Sequence, residues 1–168
     1  MKSVSNQIRM LSYGALIAAL YVVLTYAAGM LGLSSGVIQV RFSEALTVLP
    51  ALLPAAFAPA SIGGLFVGCI LANTLTGCLF WDIVFGSLAT LLGALGTYAL
   101  RRFPALCWLP PVIANILIVP PVLMRVYGVA DAWWFLCLTV GAGEIISCGI
   151  LGMLLYRVMR TRIGKSIK

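Results

Sequence analysis

The residues that could do chemistry are few. The chain of 168 residues carries four acidic side chains and no histidine. Glu44, Asp82 and Glu144 each lie in or at the edge of a long apolar run. Asp131 sits in a short polar stretch, 125–131, and reads as a solvated turn residue. An aspartate at the centre of a membrane span costs about 2.5–3.5 kcal/mol on insertion scales. Such groups therefore face a cavity or a partner. Three carboxylates from three runs point to one polar chamber. Arg41 lies three residues before Glu44, so on a helix the two share a face. That pair reads either as an internal salt bridge or as part of a binding set. Asp82 reads as a chamber residue or as a helix cap. Glu144, between Gly143 and Ile145, has no cap to form. Asn73 joins the set. Asn115 reads equally as a helix–helix hydrogen bond or a ligand contact. Trp81 beside Asp82 offers a flat ring next to a carboxylate, an arrangement that suits a nucleobase-like ligand. Phe42, Phe80, Trp133 and Trp134 fall near the same side, and the last two read as an interfacial aromatic belt.

These residues sit in a chain that is 62% hydrophobic and 9% charged, with mean hydropathy +1.12. A soluble domain carries about 25% charged residues. The composition therefore excludes a soluble enzyme or a free nucleic-acid-binding domain and implies an integral membrane protein. Spans of about 20 residues are needed to cross. The apolar runs give six of them: 10–33, 39–58, 61–80, 81–100, 105–124 and 132–156. A flexible break is expected at 32–36, and 157–168 is a basic tail. The expected fold is all-α: one compact bundle of six transmembrane helices occupying residues 1–168 as a single domain. With both termini inside the cell, nine of the eleven basic residues fall on the inner side, leaving only Arg41 and Arg125 outside. That satisfies the positive-inside rule, so the topology is N-in/C-in. The net charge of +7 follows from topology and implies no nucleic-acid partner.

The small residues Gly14, Ala15, Ala18 and Ala19 make two small-xxx-small pairs on the first span. Such faces serve packing within a bundle or docking of another membrane subunit. The five cysteines show no CxxC spacing and read as small apolar packers, with no metal assigned. Gly164-Lys165-Ser166 imitates the end of a phosphate loop. The required first glycine would fall at Met159, so it is not a nucleotide site. The chain thus has no visible means of using ATP, and no catalytic set appears.

Four stretches resemble the QueT family: IQVRFSEALTVLP (38–50), GLFVGCILANTLTG (64–77), WDIVFGSLATLLGA (81–94) and GEIISCGILG (143–152). The resemblance runs from about Leu11 to Leu155. Members are substrate-binding S components of energy-coupling factor transporters, associated with queuosine precursors. The resemblance implies a six-helix bundle in a bacterial plasma membrane that captures a 7-deazaguanine from outside. It implies docking through the small-residue first helix onto a membrane coupling subunit. It also implies two cytoplasmic ATPases that use the ATP, with no cofactor in this chain. Arg41, Glu44, Asn73, Trp81, Asp82, Asn115 and Glu144 are the expected substrate-binding residues. Other readings are an S component for another vitamin, a membrane enzyme with a metal on Glu44, Asp82 and Glu144, or a small channel with an acidic ring.

Overall fold

The computed structural model describes residues 2–33 and 38–166, and side chains for 4–33, 38–162. Most of the expected break at 32–36 and the last two residues of the tail, 167–168, lie outside the described residues, as do the side chains of the Gly164-Lys165-Ser166 stretch.

Among the described residues all regular structure is helical. Five helices are long and apolar enough to cross a membrane. Helix α1 (Lys2–Met30) contains no proline and is apolar over most of its length. Gly32, at φ 71°, stops it: the Leu33 N–H returns to the Ala28 carbonyl at 3.0 Å. A left-handed glycine closing a helix in this way satisfies carbonyls that would otherwise be orphaned.

The second expected span is corrected by the structure. It is no continuous helix over 39–58. After an extended Arg41, helix α2 (Phe42–Leu52) runs as a 3-10 helix over Phe42–Val48 and one α-turn over Leu49–Leu52. It breaks at Leu53, extended at ψ 152° ahead of Pro54, and resumes as a 3-10 turn over Ala55–Phe57. The residue before a proline is driven out of the helical region, which is the cause of the break. At helical rises of 2.0 and 1.5 Å, α2 is about 20 Å long, short of the roughly 30 Å hydrocarbon core. The whole segment still runs back alongside α1. Ser43 accepts from Thr25, whereas Phe57 packs its ring edge-on against Tyr13.

Helices α3 (Ala58–Leu75), α4 (Phe80–Ala99) and α5 (Leu109–Val126) follow. Their bounds differ from the expected spans by a few residues. A 3-10 turn, Pro104–Leu106, leads into α5. Helix α6 joins three sections end to end: α over Trp133–Glu144, π over Ile145–Gly152, and α over Met153–Ser166. Residues 157–166 of the basic tail are therefore helical and continuous with the last span.

Small residues set the packing. A Cβ at Gly64 would meet the Gly14 carbonyl, and one at Gly68 would lie 3.0 Å from the Ala18 Cα. Helices α1 and α3 approach backbone to backbone there. The main apolar cluster comprises Ile17, Tyr21, Leu46, Leu49, Leu65, Cys69, Ala72 and Ala94. Outward-facing Leu16, Val23, Leu71, Leu92, Leu117, Leu138 and Leu154 present an apolar exterior suited to lipid.

The start of α1 and the end of α6 lie at the same end of the bundle. Tyr156 and Arg157 share a groove with Pro104 and Ala105, whereas Tyr127, at the far end of α5, bonds to Asp82 at the start of α4. Trp133, Trp134 and Phe80 are exposed at that far end.

Candidate functional site

A buried polar cluster forms where helix geometry is irregular. The 3-10 helix of α2 and the π section of α6 face each other, and Gly143 lets them meet. A Cβ at Gly143 would overlap the Gln39 carbonyl, so only glycine admits the extended segment leading into α2. The Arg41 N–H then donates to Ser147 Oγ at 3.1 Å, pinning that segment to α6.

Glu44 lies deepest in this cluster, at its floor, and is only 2% exposed. Its Oε1 accepts from the Tyr21 hydroxyl, and the Thr90 hydroxyl lies 3.4 Å away. Its Oε2 is buried and has no hydrogen-bond partner. Leaving a buried polar group unpaired costs about 1–3 kcal/mol, and more for a charged group. Glu144, 7% exposed, enters from the end of the first α section of α6. The Cys148 thiol, one turn on, donates to Glu144 Oε2 at 3.3 Å. One donor atom each from Glu44, Glu144 and Cys148 all lie within 4.8 Å of one another.

The third acid stands apart from this pair. Asp82 and Thr90 occupy α4 eight residues apart, so Asp82 lies about 12 Å nearer the helix end than the residue that touches Glu44. The three carboxylates thus do not share one level, as the spans had suggested. Glu44 and Glu144 meet at the floor, and Asp82 marks the rim. Nor does Asp82 cap α4, whose N-cap is Leu79. Asp82 accepts instead from the Tyr127 hydroxyl at 2.9 Å, and Tyr127 accepts from the Leu79 N–H at 3.3 Å. Burial and the Asp82 carboxylate push the Tyr127 phenol up to about 12, so it remains a donor at neutral pH. With its value raised in the folded chain, the latch is at full strength below pH 10 and fails as pH rises through about 12.

Asn73 stands between rim and floor. A Cβ at Gly86 would be 3.2 Å from Asn73 Nδ2 and 3.8 Å from Asp82 Oδ1. Asn73 Nδ2 also lies 3.5 Å from Cys69 Sγ, which is 3.4 Å from the Thr90 hydroxyl. Asp82, Gly86 and Thr90 recur every fourth residue and line one polar stripe of α4. Arg41 is half-buried and within Coulombic reach of Glu44, Asp82 and Glu144. Of the two readings of Arg41 and Glu44, the internal salt bridge is not formed. Arg41 is the extended residue before the helix, so the helical spacing does not apply, and Glu44 Oε2 has no partner.

Two further residues are placed elsewhere. Trp81 is 55% exposed and stacks on Phe85, with ring centroids 5.9 Å apart. It lines a lateral groove with Leu117 and Arg125 instead of facing the acids. Asn115 is buried and donates to the Pro111 carbonyl at 3.0 Å within its own helix. On α1, Gly14 and Ala18 face α3, whereas Ala15 and Ala19 are exposed. The first pair packs on α3, and the second is turned outward beside it. Gly14, Ala15 and Ala18 line a shallow groove of about 440 Å³ with Pro59, Gly63 and Val67.

Sequence reasoning missed Tyr21, Thr90, Cys69 and Cys148. The cysteines were read as apolar packers, yet Cys69 and Cys148 belong to the polar network. A signal existed. Tyr21 and Thr25 recur at helical spacing within an apolar run, as do Glu144, Ser147 and Cys148.

A helical membrane bundle with two buried acids side by side, one with an unpartnered oxygen, has the makings of a solute-binding membrane protein. The chain matches the family described as QueT transporter over residues 11–161, and it belongs to that family. It is thus a multi-pass membrane protein of a transporter family. No curated protein and no solved structure matches the chain.

Proposed function

We propose that this chain is the substrate-binding S component of an energy-coupling factor transporter and captures a 7-deazaguanine, queuine or a related queuosine precursor. The observation that carries this reading is the buried, unpartnered Oε2 of Glu44 beside Glu144. A carboxylate held this way accepts the adjacent N1–H and 2-amino donors of a guanine-type edge, much as acidic side chains accept from bases. Glu144 or Asp82 meets a cationic aminomethyl group when the cargo has one, and Asn73 donates to the O6 edge. The polar stripe from Asp82 to Thr90 gives the ligand its path from rim to floor. Trp81 takes part only by turning inward from its groove, whereas Asn115 keeps a second N–H and its Oδ1 beyond the bond to Pro111.

The remaining parts of the reading rest on the family and on charge. Arg9, Arg101, Arg102, Arg157, Arg160 and Arg162 belong to segments at the end that carries the start of α1 and the end of α6, and Arg125 belongs to the opposite end. Positive-inside placement then sets both termini in the cytoplasm of a bacterial cell and opens the rim to the outside. Residues 1–168 act as one unit, with 157–168 as a cytoplasmic extension. The exposed Ala15 and Ala19, with the groove beside Gly14 and Ala18, form the face for a membrane coupling subunit, and two partner ATPases supply the energy.

Calorimetry on the purified chain tests this. Queuine and the 7-aminomethyl and 7-cyano deazaguanines are compared with guanine and adenine. Saturable binding of deazaguanines, with adenine far weaker, is expected, because an unpaired buried acceptor rejects a ligand that lacks the donors. Adenine binding as tight as deazaguanine binding would sink the substrate claim.

A further inference from the structure

We propose that Glu44, Glu144 and Cys148 also form a binding site for a thiophilic divalent cation of the zinc class. The three donor atoms lie within 4.8 Å of one another, and Cys148 Sγ is already 3.3 Å from Glu144 Oε2. Tetrahedral zinc, with bonds of about 2.3 Å to sulfur and 2.0–2.2 Å to oxygen, places its ligands roughly 3.3–3.7 Å apart. Only small side-chain rotations separate the present geometry from that one.

The unpartnered Glu44 Oε2 points to a ligand independently of the clustering. Its sister oxygen is held by Tyr21 and Thr90, which fixes the carboxylate plane and leaves Oε2 free to coordinate. Outer partners of this kind orient ligands in metal sites. Charge agrees as well. A thiolate and two carboxylates bring three negative charges, and a divalent ion with Arg41 nearby brings three positive ones. A buried site of this kind closes near neutrality. The Cys148 thiol proton leaves as the ion enters, so binding acidifies the medium. A sulfur ligand and only three protein donors disfavour calcium and magnesium, which take oxygen ligands in greater number. Three protein ligands leave a fourth position open, so the ion is exchangeable. It would occupy the oxygen assigned above to the cargo, and that competition alone rests on the proposed function.

The test is a cobalt titration of the full chain in detergent without cargo. A thiolate-to-cobalt charge-transfer band should appear and be reversed by zinc. Cys148→Ser should remove it, whereas Cys137→Ser should leave it. Should Cys148→Ser fail to fold, Glu144→Gln keeps the thiol and should weaken cobalt binding at least about tenfold. Absence of the band with the protein monodisperse, or a band undiminished in Cys148→Ser or in Glu144→Gln, overturns the proposal. None of these outcomes involves the deazaguanine, so the ion site and the cargo reading stand or fall separately.

Discussion

The buried acidic cluster and the small-residue face between α1 and α3 are built by opposite means. The α1–α3 contact is made of regular α-helix. Its closeness comes from Gly14, Ala18, Gly64 and Gly68, and its groove is lined almost wholly by apolar residues. The acidic cluster is made where regularity fails: a 3-10 helix on one side and a π section on the other. A π section often marks a functional site, because the altered register aims side chains that an α-helix would spread. Here it follows directly on Glu144 and contains Ser147 and Cys148. The difference teaches that close packing and chemical convergence are separate demands. Small residues meet the first with ordinary helices. The second requires bent backbone and a dense set of hydrogen bonds.

Substitutions can break or sharpen that contrast. The largest effect is expected at Gly143. Gly143→Val drives a side chain into the Gln39 backbone and should lower Tm by about 5–10 °C, following the cost of overpacking. Gly63→Val, with nothing within 4 Å, should leave Tm nearly unchanged. Equal thermal shifts in the two variants would mean that the acidic cluster is no more tightly determined than the groove.

Cargo affinity comes next. Glu44→Gln should weaken deazaguanine binding by about 10- to 100-fold, the worth of one hydrogen bond to a charged group. Ala19→Leu should leave that affinity unaltered while reducing co-purification with the coupling subunit. If Ala19→Leu damages cargo binding as severely, the two regions are not functionally distinct.

The rim should matter less than the floor. Tyr127→Phe removes the donor to Asp82 and should cost about fivefold in cargo affinity, near 1 kcal/mol. A loss as large as that of Glu44→Gln would move the main contact to the rim. Smallest of all is Trp81→Ala, because the ring lies in the lateral groove. Isothermal titration should find a change below about threefold, whereas base stacking is worth roughly 1–3 kcal/mol. A tenfold loss would show that the indole turns inward to meet the ligand.

The membrane class and nearly all of the long helices were legible in the residues themselves. Hydrocarbon penalises every charge and every open backbone group, so apolar runs and rare carboxylates are strong signals. Glu44 and Glu144 were singled out on that ground, and Asn73 as a polar residue able to join them. What sequence could not assign was which rare polar groups touch. Arg41 and Glu44 stand three apart, but Arg41 is extended and the helical rule does not join them. Tyr21 reaches Glu44 across 23 positions, and Cys148 approaches the Glu44 carbonyl at 3.5 Å across 104. Trp81 and Asp82 are adjacent, yet one faces the exterior and the other is buried.

Sequence by itself determined the solvent this chain is built for and the helices that solvent demands, because burial in lipid is decided residue by residue. Tertiary structure alone decided that two acids converge while the third stays at the rim, and that two cysteines are polar partners. Those outcomes depend on where α2 breaks, how the π section turns α6, and how closely Gly143 lets them approach. Each is a relation between segments far apart in the chain, and spacing along one segment carries no record of it.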